Sequence, residues 1–483
     1  MKKIFILLIL SFSALIFPKK ILGTQEVNKF GIHILEPTDL AKAQELVNSS
    51  GGDWGWVTIV IRDDDMNQDK WQAFMDECRV RHLIPLVRVA THLEGENWAK
   101  PKLEDSQKWA EFLNNLNWPV KDQYVIVFNE PNQAKEWGGE INPKEYAKIL
   151  SEFNSKFKIL NSKFKILNAG FDLAAPNGKD TMEALSFMEE MNKEIPGIFE
   201  KLDGWVSHSY PNHGFLGKPW EIGKTSIRGY EWELNILKNN FKIQKDLPVF
   251  ITETGWPKVG SEKWEVRSGK NYYDGKTVAE FFKYAFENVW LKDERIKVIT
   301  PFVLNYPGEL FAKFSWLDQE GNSYPQFETI KNLKKVNWWP EQEEKYEMIS
   351  IILPPFLPAN TKFNGTLVLK NIGQSILGEK GKLEIPASTS GSLKLSNLVI
   401  ENQRIKPGEL VRLNFSLSSV ENIGEQQFTW KGLPLQKIKV LPPSIISQTK
   451  YSFWEKIILN LKEIFSKLQI IYLKALKTNV SLK

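Results

Sequence analysis

From residue 29 to about residue 337, short aliphatic runs alternate with segments of helical periodicity, and the alternation repeats about eight times. Several runs are apolar at every position, which is typical of parallel strands buried on both faces. The candidate strands cover residues 30–34, 56–62, 84–89, 124–129, 165–169, 204–208, 248–252 and 297–304. This pattern predicts an α/β fold, a (β/α)8 TIM barrel over residues 24–340. A doubly wound open sheet is the alternative, but the Gly-rich turn usual after its first strand is absent from the sequence.

Segments in which apolar residues recur every three or four positions predict the helices between these strands. The candidate helices cover residues 69–81, 106–116, 143–157, 181–191, 229–239 and 277–290. One heptapeptide, NSKFKIL, occurs twice in tandem, at residues 154–160 and 161–167. We assign the first copy to the end of a helix and the second to the start of a strand, so the pair is a local duplication and not a repeat architecture.

The pattern changes after residue 340. An acidic stretch at residues 341–344 is a candidate linker. Beyond it come short strands of alternating polarity, separated by turns rich in Pro, Gly, Asn and Ser, over residues 346–353, 363–371, 393–400, 409–417, 426–430 and 436–441. They predict a small β-sandwich of immunoglobulin-like kind over residues 345–443. This unit either binds sugar or spaces the barrel from a surface, and spacing is the simpler role.

The formal net charge of +5 is concentrated at the two ends of the chain. Residues 1–23 carry +4 and residues 444–483 carry +5, which leaves −4 on the body between them. The start, MKK followed by an apolar run, predicts a signal peptide or an N-terminal signal anchor, and therefore an exported protein that is extracellular or membrane-associated. Residues 450–477 predict an amphipathic basic helix, which either contacts a membrane surface or packs on protein.

The composition of the body excludes several classes of protein. An acidic body has no clustered Lys and Arg to neutralise phosphates, so we expect no nucleic-acid partner. Cys78 is the single cysteine, which rules out an intrachain disulfide and a CxxC site. The five histidines form no HExxH or HxxxH pair, so the sequence predicts neither a metal site nor a cofactor.

Two strand ends carry carboxylates. The fourth candidate strand continues into FNEPN (residues 128–132) with Glu130, and the seventh continues into TETGWP (residues 252–257) with Glu253. A charge directly after a buried strand is costly unless it faces an open mouth, and in barrels the carboxyl ends of the strands form that mouth. Glycoside hydrolysis is catalysed by two carboxyl groups that face each other across such a cleft.

These two motifs, together with EWGG at residues 136–139, resemble the retaining (β/α)8 glycoside hydrolases of clan A, and the strand-four stretch is most similar to glycoside hydrolase family 39. The resemblance covers about residues 29–337. It implies cleavage of a β-linked oligo- or polysaccharide by double displacement, with Glu130 as acid/base and Glu253 as nucleophile. It also implies that Asn129 bonds the sugar 2-hydroxyl.

Further positions follow from the same resemblance. His208 and Tyr210 match a His-x-Tyr that supports the nucleophile at the end of strand six, and Arg62 matches an arginine that contacts the nucleophile. Arg88 is a second candidate for that contact. The tryptophan expected at the end of strand eight has no clear counterpart. Because Trp137 and Trp256 flank the two glutamates, we expect them to stack on sugar rings, although core packing explains either equally well.

Two other functions remain open. The chain is alternatively a non-catalytic carbohydrate-binding or adhesion protein on the same barrel, a reading favoured by the missing strand-eight tryptophan. It is also alternatively a transglycosylase, because the residues for transfer and for hydrolysis are the same and only the acceptor differs.

Overall fold

The structure is a computed structural model that describes residues 26–259, 272–420 and 422–442. The predicted export segment, residues 1–23, and the predicted amphipathic helix, residues 450–477, lie outside the described residues. Among the residues that the structure covers, no helix is both long and apolar enough to cross a membrane.

Eight parallel strands form the centre of the described N-terminal part. They are β1 (Gly31–His33), β2 (Gly55–Arg62), β3 (Leu83–Ala90), β4 (Gln123–Val127), β5 (Phe164–Leu167), β6 (Trp205–His208), β7 (Val249–Glu253) and β8 (Ile296–Ile299). The strands β1 to β5 pair in sequence order, and so do β6 to β8. Parallel bridges from Phe30 to Ile299 and from Leu167 to Gly204 join the two sheets at both edges. This arrangement is consistent with a TIM barrel.

A helix follows each strand. The helices are α1 (Leu40–Val47), α2 (Gln68–Val80), α3 (Asp105–Asn114), α4 (Pro143–Leu160), α5 (Ala184–Glu194), α6 (Gly229–Asn239), α7 (Gly275–Ala285) and α8 (Pro325–Lys331). Each covers the sheet with one apolar face. In α7 that face holds Val278, Phe281 and Phe282, and the helix begins after Asp274, whose carboxylate accepts from two backbone N–H groups of the first turn.

The C-terminal part is rich in β-structure. Its strands are β9 (Tyr346–Ile352), β10 (Leu357–Pro358), β11 (Lys362–Asn371), β12 (Leu383–Ile385), β13 (Ala387–Thr389), β14 (Lys394–Leu395), β15 (Leu398–Ile400), β16 (Leu410–Ser418), β17 (Gly424–Trp430) and β18 (Gln436–Leu441). Two four-stranded sheets have the orders β9-β11-β16-β14 and β10-β18-β17-β13. Their apolar residues, among them Phe415 and Trp430, form a separate core.

The segment between the two parts closes the amino-terminal end of the barrel. Trp338 and Trp339 pack against a cluster that includes Trp54 and Trp56, and the Trp338 indole donates to the backbone oxygen of Trp54 at 3.0 Å. Since aromatic side chains cover that end, the carboxyl ends of the strands are the open face of the barrel.

Candidate active site

A cavity of about 770 Å³ opens at the carboxyl ends of the strands. Its volume is in the range typical of small-molecule sites. Side chains that end or follow several different strands line it, including Arg88, Asn129, Glu130, Tyr210 and Glu253. The predicted glutamates therefore face one cavity, although their sequence positions lie far apart.

The backbone turns sharply where it delivers Glu130 to this cavity. Strand β4 ends at Val127, and both Phe128 and Glu130 have positive φ angles, 70° and 27°. Such backbone costs of order 1–3 kcal/mol for a non-glycine residue and persists only where its surroundings fix it. One fixing contact is the backbone N–H of Glu130, which donates to Gly170 at 3.1 Å. A Cβ on Gly170 would overlap the ring of His208, so glycine permits this close approach.

Glu253, the last residue of β7, lies among donors. Arg88 Nη1 donates to its Oε1 at 2.6 Å, and the Tyr210 hydroxyl donates to its Oε2 at 3.2 Å. His208 Nδ1 lies 3.8 Å from Oε2, and the buried His33 lies 4.0 Å from Oε1. Burial alone would raise the pKa of Glu253, but the charges of His208 and Arg88 outweigh it and hold the pKa below its ordinary value.

Glu130 has the opposite balance. His208 Nδ1 lies 2.9 Å from its Oε1, and Gln133 Nε2 donates to its Oε2 at 2.8 Å. Burial raises the pKa of Glu130, and the negative charges of Glu253 and Asp172 add to that rise, although His208 opposes it. The pKa of His208 is raised as well: burial would lower it, but the two glutamates outweigh that cost.

One ligand atom each from Glu130, His208 and Glu253 lies within 4.8 Å of the other two. Three such groups are close enough to share a proton or to hold a metal ion. Two carboxyl groups at this distance, with pKa values pushed in opposite directions, are the arrangement in which one acts as an acid and the other stays ionised.

The arginine that contacts Glu253 is Arg88, which corrects the expectation for Arg62. Both side chains line the cavity. The Arg62 guanidinium, however, pairs with Asp64 at 2.9 Å and is 44% exposed. Arg88 lies inside strand β3 and also donates to the Asn129 side-chain oxygen. Arg88 therefore links the residue proposed to bind the 2-hydroxyl with the proposed nucleophile.

The structure contradicts the expectation that Trp137 and Trp256 stack on sugar rings. Trp137 is fully buried, donates to Glu145 at 2.9 Å and packs edge-on against Phe128. Trp256 is 2% exposed and donates to the backbone of Gly217 at 2.7 Å. Both indoles belong to the core because their flanking loops fold back onto the helices.

Aromatic side chains form one wall of the cavity, and the motifs revealed only Tyr210 among them. The wall consists of Tyr210, Phe215, Phe302, Tyr306, Phe311 and Phe314. Their rings contact one another at centroid distances of 5.1 to 6.1 Å. Phe302 follows β8, so a phenylalanine lines the cavity beyond the strand whose expected tryptophan is missing. We call this set the aromatic wall.

Other cavity or near-cavity residues also escaped the sequence reasoning. They are His33, Gln133, Glu136 and Asp172. The rule that found the two glutamates, a charged residue directly after a buried strand, does not mark His33, which lies inside candidate strand 30–34, or Asp172, which follows candidate strand 165–169 only after two further residues. Burial, with the charge of Glu130 in addition, raises the pKa of Glu136 to about 7. This third carboxyl lies beside Asn129, a proximity that no spacing in the sequence predicts.

No protein family and no curated protein sequence matches the chain. Glycosidases are among the solved structures that it is similar to. They include a GH39 β-xylosidase from Caulobacter crescentus (TM-score 0.44, 11% identity, 81% of this chain and 95% of that chain). They also include a GH128 endo-β-1,3-glucanase from Pseudomonas viridiflava (TM-score 0.40, 12%, 64% and 98%) and an α-L-arabinofuranosidase from Thermotoga maritima (TM-score 0.39, 11%, 73% and 78%). Likeness of this degree decides neither fold nor activity.

Proposed function

We propose that the chain is a retaining glycoside hydrolase that cleaves a neutral, β-linked oligo- or polysaccharide. The observation that carries this proposal is the pair Glu130 and Glu253, which line one cavity and each place a carboxyl oxygen within 4.8 Å of the other and of a ring nitrogen of His208. Retaining enzymes hold their carboxyl groups about 5–5.5 Å apart, whereas inverting enzymes need about 6.5–9.5 Å to admit a water molecule. Because one oxygen of Glu130 and one of Glu253 lie within 4.8 Å of each other, the pair is close enough for the retaining arrangement, which favours covalent catalysis.

The reaction has two steps, and Glu130 and Glu253 act in both of them. In the first step Glu253 attacks the anomeric carbon while Glu130 gives its proton to the departing oxygen, so one bond forms as the other breaks. In the second step the ionised Glu130 takes a proton from water, whose oxygen attacks the same carbon and releases Glu253. Arg88 and Tyr210 hold the Glu253 oxygens in place, which fixes the direction of attack.

The charges of the cavity support a neutral substrate. Among the described residues its lining holds four cationic side chains, Arg62, Lys70, Arg88 and Lys135, and six carboxyl groups besides the protonated Glu130, namely Glu36, Asp64, Asp65, Glu136, Asp172 and Glu253. Three of those cations are paired within the lining, with Asp64, Asp65 and Glu253. An acidic sugar would therefore meet excess negative charge. The aromatic wall offers flat apolar surface to the faces of sugar rings instead.

Covalent labelling tests the proposal. The protein is incubated with a panel of 2-deoxy-2-fluoro-β-glycosides that carry good leaving groups, and peptides are then analysed by mass spectrometry. We expect an adduct on Glu253 from a neutral sugar and none from a glucuronide, and Glu253→Ala should bind substrate without turnover or labelling. If no sugar of the panel labels Glu253, the reading as a non-catalytic binding protein replaces this one. Products longer than the substrate would instead indicate a transglycosylase.

We further propose, from the sequence, that the C-terminal β-rich part is an immunoglobulin-like spacer and that the chain is exported and kept at a membrane surface by residues 450–477. Fractionation of cells that express the full chain, compared with a variant that lacks residues 450–477, tests this. We expect the full chain in the membrane fraction and the shortened chain outside it. Equal distribution of the two would refute the anchoring role.

A further inference from the structure

We propose that Gln133 and Asp172 are positioning residues for the acid/base, with Gln133 favouring the ionised form of Glu130 and Asp172 favouring its protonated form. This inference rests on the proposed function. Neither residue was marked by the sequence motifs, and both line the cavity.

The geometry centres on the amide group of Gln133. Its Nε2 donates to Glu130 Oε2 at 2.8 Å and to Asp172 Oδ2 at 3.0 Å. The other oxygen of Asp172 accepts from the backbone N–H of Ala174 at 2.9 Å. The two carboxylates are thus separated by a single amide nitrogen, which uses one hydrogen for each.

The backbone around this bridge is fixed. The backbone N–H of Gln133 donates to the backbone carbonyl oxygen of Glu130 at 2.9 Å. The buried Asn132 side chain donates to the backbone oxygens of Asp172 and Met182, at 2.9 and 3.0 Å, and accepts from the Asp172 N–H at 3.1 Å. The loop after β4 and the loop after β5 are therefore held together at the point where the bridge forms. This support keeps Asp172 close to Glu130.

Charged groups face Glu130 from every side. His208 from β6 and Glu253 from β7 lie on one side, and Asp172, from the loop after β5, lies on the other. Glu136, on the same loop as Glu130, and Arg88, in β3, line the same cavity, and the charge of Glu130 acts on Glu136. A donor to the ionised carboxylate stabilises that form, and a neighbouring negative charge opposes it. Gln133 and Asp172 therefore act on Glu130 in opposite directions.

Opposed influences suit the chemistry of an acid/base. Glu130 must carry a proton in the first step and lack it in the second, so its proton affinity must favour neither form strongly. A donor alone would leave Glu130 ionised before the glycosidic bond breaks. A negative neighbour alone would keep it protonated when water must be activated. Gln133 supplies the donor at Glu130 Oε2, and it holds the negative charge of Asp172 next to that oxygen.

The pH profile of kcat/KM tests the inference, because its basic limb reports the acid in the free enzyme. We expect Gln133→Leu to move that limb up by about one pH unit and Asp172→Ala to move it down by a similar amount. Gln107→Leu and Asp180→Ala serve as matched controls and should leave the limb in place. Gln107 donates to a surface carboxylate at 2.7 Å, and Asp180 is an exposed charge in the same loop as Asp172.

A second measurement separates positioning from loss of structure. Glycosides with a dinitrophenyl leaving group need no acid, so both variants should label Glu253 at the wild-type rate with them. Glycosides with alkyl leaving groups need the protonated acid, so they should stay reactive to a pH about one unit higher in Gln133→Leu and about one unit lower in Asp172→Ala. If Gln133→Leu does not fold, Asp172→Ala decides alone.

The inference would be overturned if the basic limb of the kcat/KM profile stayed in place in Gln133→Leu and Asp172→Ala, or moved in the same direction in both. Failure of the proposed function has a different signature, since the wild type itself would then show neither adduct nor turnover.

Discussion

Exchanging the arginine that touches Glu253 tests the electrostatics of the site most directly. We expect Arg88→Gln to raise the acid limb of the kcat/KM profile, because Glu253 then loses its closest cation, 2.6 Å away. The same exchange at Arg62 should leave that limb unchanged, because its guanidinium pairs with Asp64. The two variants remove identical groups from the lining of one cavity, so each is the other's control.

The size of the effect follows from the contact. A hydrogen bond to a charged group contributes about 1.5–3 kcal/mol, which corresponds to roughly one to two pKa units for the acceptor. The Arg88 and Glu253 side chains are only 12% and 11% exposed, so solvent screens the pair weakly. Since an ordinary glutamate has a pKa of about 4.3, a rise of two units from there would still leave Glu253 mostly ionised at pH 7. The loss of rate at pH 7 must therefore come from orientation, for which about a hundredfold is reasonable.

The assay is initial-rate kinetics between pH 3 and pH 9 on the glycoside that labels Glu253, with circular dichroism at each pH to exclude unfolding. An acid limb that stays in place in Arg88→Gln would refute the assignment of Arg88 as the main cation for Glu253. A limb that moves in Arg62→Gln instead would restore the expectation drawn from the sequence.

Three further results are expected. Glu130→Ala should retain hydrolysis of dinitrophenyl glycosides, lose that of alkyl glycosides by at least a hundredfold, and recover rate with azide, measured as glycosyl azide formation. Trp137→Ala should lower the free energy of unfolding by about 3–5 kcal/mol in denaturant titrations without raising KM, whereas Phe314→Ala, in the aromatic wall, should raise KM. His82 lies between Asp53 and Glu379, which outweigh the effect of burial and raise its pKa to about 9. Its stabilising contribution should be complete below about pH 6.5 and lost as the pH rises through 9, which melting temperatures of wild type and His82→Gln would reveal.

Each of these results has a contradicting outcome. If Glu130→Ala loses the same rate on dinitrophenyl and alkyl glycosides, Glu130 does not donate the proton to the leaving group. A raised KM at unchanged stability in Trp137→Ala would show that the Trp137 side chain contacts the substrate. A melting temperature with the same pH dependence in wild type and His82→Gln would show that the ion pairs of His82 with Asp53 and Glu379 do not stabilise the fold.

Local sequence patterns predict which strand ends place carboxyl groups in the cavity, because a charged residue that directly follows a buried strand must reach an open face of the fold. Glu130 and Glu253 were found in that way. Patterns do not report which way a side chain turns after the strand. Arg62 and Arg88 both follow or end buried runs, and only the packing of β2, β3 and β7 decides that Arg88 meets Glu253. The prediction for Trp137 and Trp256 is wrong for the same reason, since nearness in sequence to a proposed catalytic residue does not fix the direction of an indole.

The duplicated heptapeptide shows where the limit lies. Residues 154–160 end helix α4 and residues 164–167 form β5, although the two copies of NSKFKIL are identical. Their phenylalanines, Phe157 and Phe164, are both buried and pack edge-on at 4.8 Å, but Ile159 is 80% exposed whereas Ile166 is fully buried. The sequence by itself determined that both copies place an aromatic ring in the core, because the ring is apolar in any conformation. Only the tertiary structure decided between helix and strand, because the free energy of burying the other side chains depends on what already surrounds them.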